Sequence, residues 1–138
     1  MGDRVRHFTD LNVWRKAHGL FLLLLRHADA VAGALSARLV FEQLLRSTGS
    51  ICANIAEGFN RSRKRYLNSL DIAVGEANET ENWLYKARDA GLLSSDVARE
   101  RLAAVIAIEK MLAGLKASIS ARHDRAEEAE PDYKLWES

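Results

Sequence analysis

A single proline, a single cysteine and eight glycines in 138 residues leave this chain few places to break a helix, which favours an all-α fold. The lone Cys52 cannot form an intrachain disulfide and fits a reducing compartment. Long apolar runs are missing as well. The leucine-rich run Leu20 to Leu25 is bounded by Arg15, Lys16 and Arg26, whereas a transmembrane helix needs about 20 apolar residues. A signal peptide would set such a run nearer the start and follow it with a cleavage site. A cytoplasmic chain with no membrane partner is expected. Nor is there an excess of one charge: 20 basic against 19 acidic residues give a net charge of +1. That is far from the strong basic excess of a dedicated DNA binder.

Catalytic and metal-binding patterns are absent too. A di-iron bundle needs Glu-x-x-His pairs that project inward, and none of His7, His18, His27 and His123 has an acidic residue three positions before it. Bundle ribonucleases of the HEPN type place an arginine four to six residues ahead of a histidine, and no histidine here is so placed. There is no glycine-rich phosphate loop and no Ser-His-Asp arrangement. No basic residue close to Cys52 in the sequence obviously lowers its pKa, so it reads as a structural thiol. Glu76, Glu79 and Glu81 cluster without a histidine and read as salt-bridge partners between helices or subunits. The expectation is a chain with no catalytic residues, no metal and no cofactor.

What is present is helical periodicity. Apolar residues make up 48% and charged residues 28%, the balance of an ordinary globule. A first helix is expected from the N-cap candidate Asp10 to about Val31, ended by Ala32-Gly33. A second follows the cap candidate Ser36, with the face Phe41, Leu44, Leu45, Thr48, Ile51, Cys52, Ile55 and Phe59 at three- and four-residue spacing. The third follows Ser62 and ends at Gly91, burying Tyr66, Leu70, Ala73, Ala77, Thr80, Leu84 and Ala87. The fourth follows Ser94 or Ser95 and buries Ala98, Leu102, Val105, Ile108, Leu112, Leu115 and Ile119. Short links force neighbours antiparallel, so the fold is an up-down-up-down four-helix bundle. It spans residues 1–121. Residues 122–138 form an acidic extension with a net charge of −3, in which Pro131 is expected to stop any helix. Its Tyr133, Leu135 and Trp136 could dock on a basic surface or a neighbouring subunit, or the segment could be unfolded.

Three features bear on function. The residues Leu20, Phe21, Leu22, Leu23, Leu24 and Leu25 advance about 600° around a helix axis and so cover every face. Either they bury a second face against another subunit, or they form a thick stripe beneath the loop at Ala30 to Ala34. Helix 2 carries a polar stripe of Gln43, Ser47, Ser50, Asn54 and Glu57. It is either a solvated face or the lining of a subunit contact in which Asn54 and Glu57 find partners. Gly49, costing about 1 kcal/mol against alanine in mid-helix, suggests a close helix approach or a bend. Finally, Arg61, Arg63, Lys64 and Arg65 precede Tyr66 at the turn between helices 2 and 3. Such a cluster can hold phosphates and stack a base, or it is a solvated turn paired with neighbouring carboxylates.

The string Asn54-Ile55-Ala56-Glu57-Gly58 resembles a motif of small bacterial four-helix-bundle proteins first noticed as reading frames within intervening sequences of 23S rRNA genes. The opening Phe8-Thr9-Asp10-Leu11-Asn12-Val13-Trp14-Arg15-Lys16-Ala17-His18 resembles the start of that family. Glu79-x-Glu81 and Asp89-x-Gly91-x-Leu93-Ser94 follow at the family's spacing, so that the likeness runs from about residue 8 to residue 120. Cys52 stands where the family usually has proline, which implies a straighter helix 2. The resemblance implies a homo-oligomer, in particular a pentameric ring. Distant relatives with the same bundle accompany the reverse transcriptases of diversity-generating retroelements, which implies nucleic acid and a protein such as a reverse transcriptase as partners. Two functions of different class follow. One is a non-enzymatic oligomeric adaptor binding RNA or single-stranded DNA at the basic turn. The other is a structural or partner-docking oligomer with no nucleic-acid role.

Overall fold

A computed structural model describes the backbone of residues 4–31 and 33–137 and the side chains of residues 4–31 and 33–122. A 3-10 turn at Phe8–Asp10 leads into four helices, α1 (Asn12–Ala30), α2 (Leu35–Gly58), α3 (Arg63–Asp89) and α4 (Ser95–Glu137). No strand occurs among the described residues. Each helix packs on its neighbours in sequence, and α4 closes on α1, which makes the expected antiparallel bundle. The α2–α3 seam is the most extensive and the α1–α4 seam the thinnest among the helices.

The core is the set of positions that periodicity selects. Phe41, Leu44, Ile51 and Ile55 of α2 meet Leu70, Ala73, Ala77, Leu84 and Ala87 of α3 and Ala98, Val105, Ile108 and Leu112 of α4. Val13, Ala17, Leu20 and Leu24 complete it from α1. Alanines dominate the buried face of α3, so the helix axes around it can stand close together. Ser47, from the polar stripe of α2, is fully buried rather than solvated. The Thr80 hydroxyl donates to Ser47 Oγ (2.7 Å) or to the Glu76 carbonyl (2.9 Å), and that of Ser47 lies 3.3 Å from the Leu44 carbonyl. A polar pair thus sits at the centre of the α2–α3 seam at little desolvation cost, because its donors and acceptors are matched.

Helix ends show where local chemistry decides. Ser62 caps α3, its hydroxyl accepting from Arg65 N–H (3.4 Å), and Ser94 caps α4, accepting from Val97 N–H (3.2 Å). At the end of α3, Gly91 has φ +73°. Its N–H donates to the Arg88 carbonyl (3.0 Å) and that of Leu92 to the Ala87 carbonyl (2.8 Å), the paired bonds of a Schellman ending.

Three expectations about ends are corrected. Asp10 does not cap α1. It closes the preceding 3-10 turn, where its carboxylate accepts from the N–H groups of Arg6 and His7, both at 3.0 Å, and Leu11 precedes α1 without a side-chain cap. Those two amides and Arg15 hold the Asp10 carboxyl below the usual carboxylate range. Ser36 lies inside the first turn of α2, because the chain already enters the helix at Ala34 after the bend at Gly33 (φ +107°). Pro131 does not stop α4, whose backbone is helical to Glu137. A mid-helix proline removes one intrahelical donor and crowds the carbonyl four residues back, a cost of about 3 kcal/mol, which the strong helix formers from Ala126 to Glu130 help to offset.

Candidate nucleic-acid interface

The turn joining α2 to α3 is built by two local devices. Gly58 ends α2, and the N–H of Arg61 donates to its carbonyl (3.2 Å). Asn60 between them is left-handed (φ 61°), a conformation asparagine tolerates better than most residues. A Cβ on Gly58 would stand 2.7 Å from Ser69 Cβ and 3.1 Å from Tyr66 Cδ1. The motif glycine thus lets the ends of α2 and α3 close on each other and sets the Tyr66 ring against Phe59, edge to face at 6.3 Å.

The tight turn leaves Arg61, Arg63, Lys64 and Arg65 exposed. None of the four forms an ion pair within 4 Å among the described residues. Three of them occupy the first turn of α3, which contains no acidic residue. Cations at a helix N-terminus oppose the macrodipole, whose positive end favours anions. The local arrangement is therefore electrostatically unfavourable by itself and attractive to a phosphate backbone.

Two basic residues not singled out in the sequence join this end. Arg4 and Arg122, together with Arg61, line a cavity of about 500 Å³ whose apolar lining includes Phe59, Tyr66 and Ile119. The antiparallel packing of α4 on α3 brings Arg122 beside Tyr66, and the guanidinium also donates to Ser118 Oγ (3.1 Å). Half-burial pushes the Tyr66 phenol up while the Arg122 charge pulls it down. Neither arginine could be found from local sequence, since each lies far from the basic run and reaches it only through the tertiary fold.

The other singled-out residues fall into distinct environments. Leu20 and Leu24 belong to the bundle's own core and are not free for a subunit contact. Leu22, Leu23 and Leu25 are exposed at 37%, 39% and 38%, and Phe21 is half-buried against Gly49, whose Cβ position lies 3.5 Å from the ring. Gly49 thus marks a close approach of α1 to α2. Asn54 satisfies itself within α2, donating to the Ser50 carbonyl (2.8 Å). Glu57 lines an open groove with Arg61, Arg65 and Asn68. Burial raises the Cys52 thiol to about 11, which makes it a poor nucleophile. Glu76 and Glu79 of α3 pair with Arg46 of α2, the first at 3.6 Å, an interhelical clamp. Glu81 accepts instead from the Tyr85 hydroxyl (3.0 Å). Trp14 stacks on His18 at 4.6 Å, and Lys86 stands 5.7 Å above Trp83. Tyr133, Leu135 and Trp136 of the acidic extension lie outside the described side chains. Among the described residues no helix is long and apolar enough to cross a membrane, and no group of His, Cys, Asp and Glu stands ready for a metal.

Comparison with known proteins adds two findings. The family described as 23S rRNA-intervening sequence protein matches residues 9–114. A crystal structure from Bacteroides thetaiotaomicron, described as a protein of unknown function from the S23 ribosomal protein family, is 27% identical with a TM-score of 0.71. The similarity covers 76% of this chain and 95% of that one. No characterised protein in curated collections matches the sequence.

Proposed function

This chain belongs to the 23S rRNA-intervening sequence protein family, and from that setting and the basic end of its bundle we propose that it is a non-enzymatic, self-associating adaptor that holds RNA or single-stranded DNA at the α2–α3 turn. The family description names a setting and not an activity, so the site has to carry the reading. The observation that carries it is the cluster of Arg61, Arg63, Lys64 and Arg65, exposed and set against the α3 dipole beside Tyr66. Charges that form no ion pair among the described residues and do not favour their helix are explained by an anionic partner. Phosphates would meet the cations and a base would stack on Tyr66. Four cations per subunit are too few for tight binding at physiological salt. A ring, a pentamer by the family resemblance, would repeat them and raise avidity by about 10²–10⁴ where one strand reaches several copies. The protein would act in the cytoplasm, where a protein partner such as a reverse transcriptase could be brought to the bound strand.

Fluorescence anisotropy with a labelled single strand tests this. Binding should be micromolar at low salt, fall steeply as salt rises and vary little with base sequence. Replacing Arg61, Arg63, Lys64 and Arg65 with Gln should abolish it without unfolding the bundle. Absence of binding by the wild type, or equal binding by the variant, would leave the second reading, a structural or partner-docking homo-oligomer. The exposed Leu22, Leu23 and Leu25 favour that reading to the extent that they show an apolar face in need of cover.

A further inference from the structure

The cavity beside the turn differs in kind from the cations that fan around the first turn of α3. A convex fan suits phosphates of a strand passing over it, whereas a concave site gathers charge about one group. Three segments distant in sequence converge on it: Arg4 ahead of the 3-10 turn, Arg61 in the α2–α3 turn, and Arg122 on α4. Each guanidinium offers a planar fork suited to two oxygens of one phosphate. A diester brings one negative charge, while a terminal phosphomonoester carries about −1.5 to −2 at neutral pH and three strong acceptor oxygens. Three arginines match the second better than the first. The lining also holds the aromatic rings of Phe59 and Tyr66, set edge to face. An aromatic ring face accepts a flat base and has no need to distinguish one base from another. A volume of about 500 Å³ is in the range of pockets that hold small ligands.

We propose that the cavity lined by Arg4, Arg61 and Arg122 with Phe59 and Tyr66 is a nucleotide-end pocket that takes a 5′-phosphomonoester together with its base. This rests on the reading of the adjoining turn as a strand-binding surface, and the exposed cations of that turn would then hold the strand beyond its captured end. The same chemistry is present in a free mononucleotide, and the test separates the two sources.

A thymidine decamer labelled at its 3′ end is titrated at low salt in 5′-phosphorylated and 5′-hydroxyl forms. Thymidine 5′-monophosphate and thymidine are compared as competitors and as stabilisers in a thermal shift. The phosphorylated strand should bind about five- to tenfold more tightly, in keeping with the added charge-assisted bonds. The monophosphate should compete and the nucleoside should not. An Arg4→Gln/Arg122→Gln double variant should lose this preference yet still bind the 5′-hydroxyl strand through Arg63, Lys64 and Arg65. Circular dichroism should show it folded, because both arginines are exposed. Equal affinity for the two forms, or a preference that survives in the double variant, overturns the pocket. If the 5′-hydroxyl strand binds in a salt-sensitive way without that preference, the strand reading survives alone. If neither strand binds but the monophosphate stabilises the wild type and not the variant, the pocket stands with a free nucleotide as its ligand and the strand reading fails.

Discussion

Gly58 shows how one residue of the Asn54–Gly58 string acts at a distance from its own helix. Its missing side chain admits Ser69 and Tyr66 of α3, so the string is a packing device that also positions an aromatic side chain lining the basic cavity. Gly58→Ala should cost about 1–3 kcal/mol through overpacking, read as a lowered Tm, and should weaken nucleotide binding along with it. Gly75 is the control. It lies exposed in α3 with nothing within 4 Å of its Cβ position, so Gly75→Ala should raise stability by up to about 1 kcal/mol through helix propensity alone. Equal effects at the two positions would contradict the packing account. Periodicity could show that Ser47 and Thr80 lie on helices, but not that they face each other. Burying Ser47 depends on a partner hydroxyl 33 positions away, and local sequence has no mark for it.

At the scale of helices, the amphipathic pattern was enough to find α2, α3 and α4 and nearly all their buried faces, since three- and four-residue spacing is a direct consequence of helix geometry. Ser62, Ser94 and Gly91 act where they stand in the sequence because caps work through neighbouring backbone groups. Asp10 and Ser36 misled because each has the right chemistry only one or two residues from the cap position that the chain adopts, Leu11 and Ala34. The basic run was legible as a cluster, whereas Arg4 and Arg122 reach the site only through the folding of distant segments. The first turn of α3 gives a prediction that separates function from stability. Lys64→Glu should raise stability by about 0.3–1 kcal/mol at low salt, by restoring favourable dipole electrostatics, while weakening strand binding. Loss of stability would instead give Lys64 a structural role. The α3–α4 seam gives another. Burial, and then the neighbouring Glu81, raise Glu109 from 4.5 to about 7. The folded chain therefore holds a proton there that the unfolded chain has released. The stabilisation is full below pH 4.5 and is lost as pH rises through 7. Glu76, raised by burial and by Glu79, adds to the same slope. Tm should fall between pH 5 and pH 8, and Glu109→Gln should flatten that fall; an unchanged slope would show that Glu109 titrates normally.

For the whole molecule, the decisive feature is how α1 divides its leucines. Leu20 and Leu24 fill the core, while Leu22, Leu23 and Leu25 face outward. Leu22 and Leu23 border a cavity along the thin α1–α4 seam with Arg15, Arg26 and Gly19. Exposed leucines grouped in this way on one helix form an apolar patch that a second copy could cover, consistent with the proposed ring. Adjacent substitutions can therefore tell assembly from folding. In Leu24→Asp a carboxylate enters a fully buried site without a partner, and the bundle should lose several kcal/mol and unfold. In Leu23→Asp the carboxylate meets solvent in the single chain, so helical circular dichroism should persist. Desolvation of that charge would arise only in a subunit contact, so native mass spectrometry should show a multimer for the wild type at micromolar protein and smaller species for Leu23→Asp. A monomeric wild type, or a Leu23→Asp variant that assembles as well as its parent, would remove this face from the interface. Strand binding decides how assembly and function connect. If the ring supplies the avidity, Leu23→Asp should weaken binding to a long strand far more than to a decamer, although none of the basic residues has been touched.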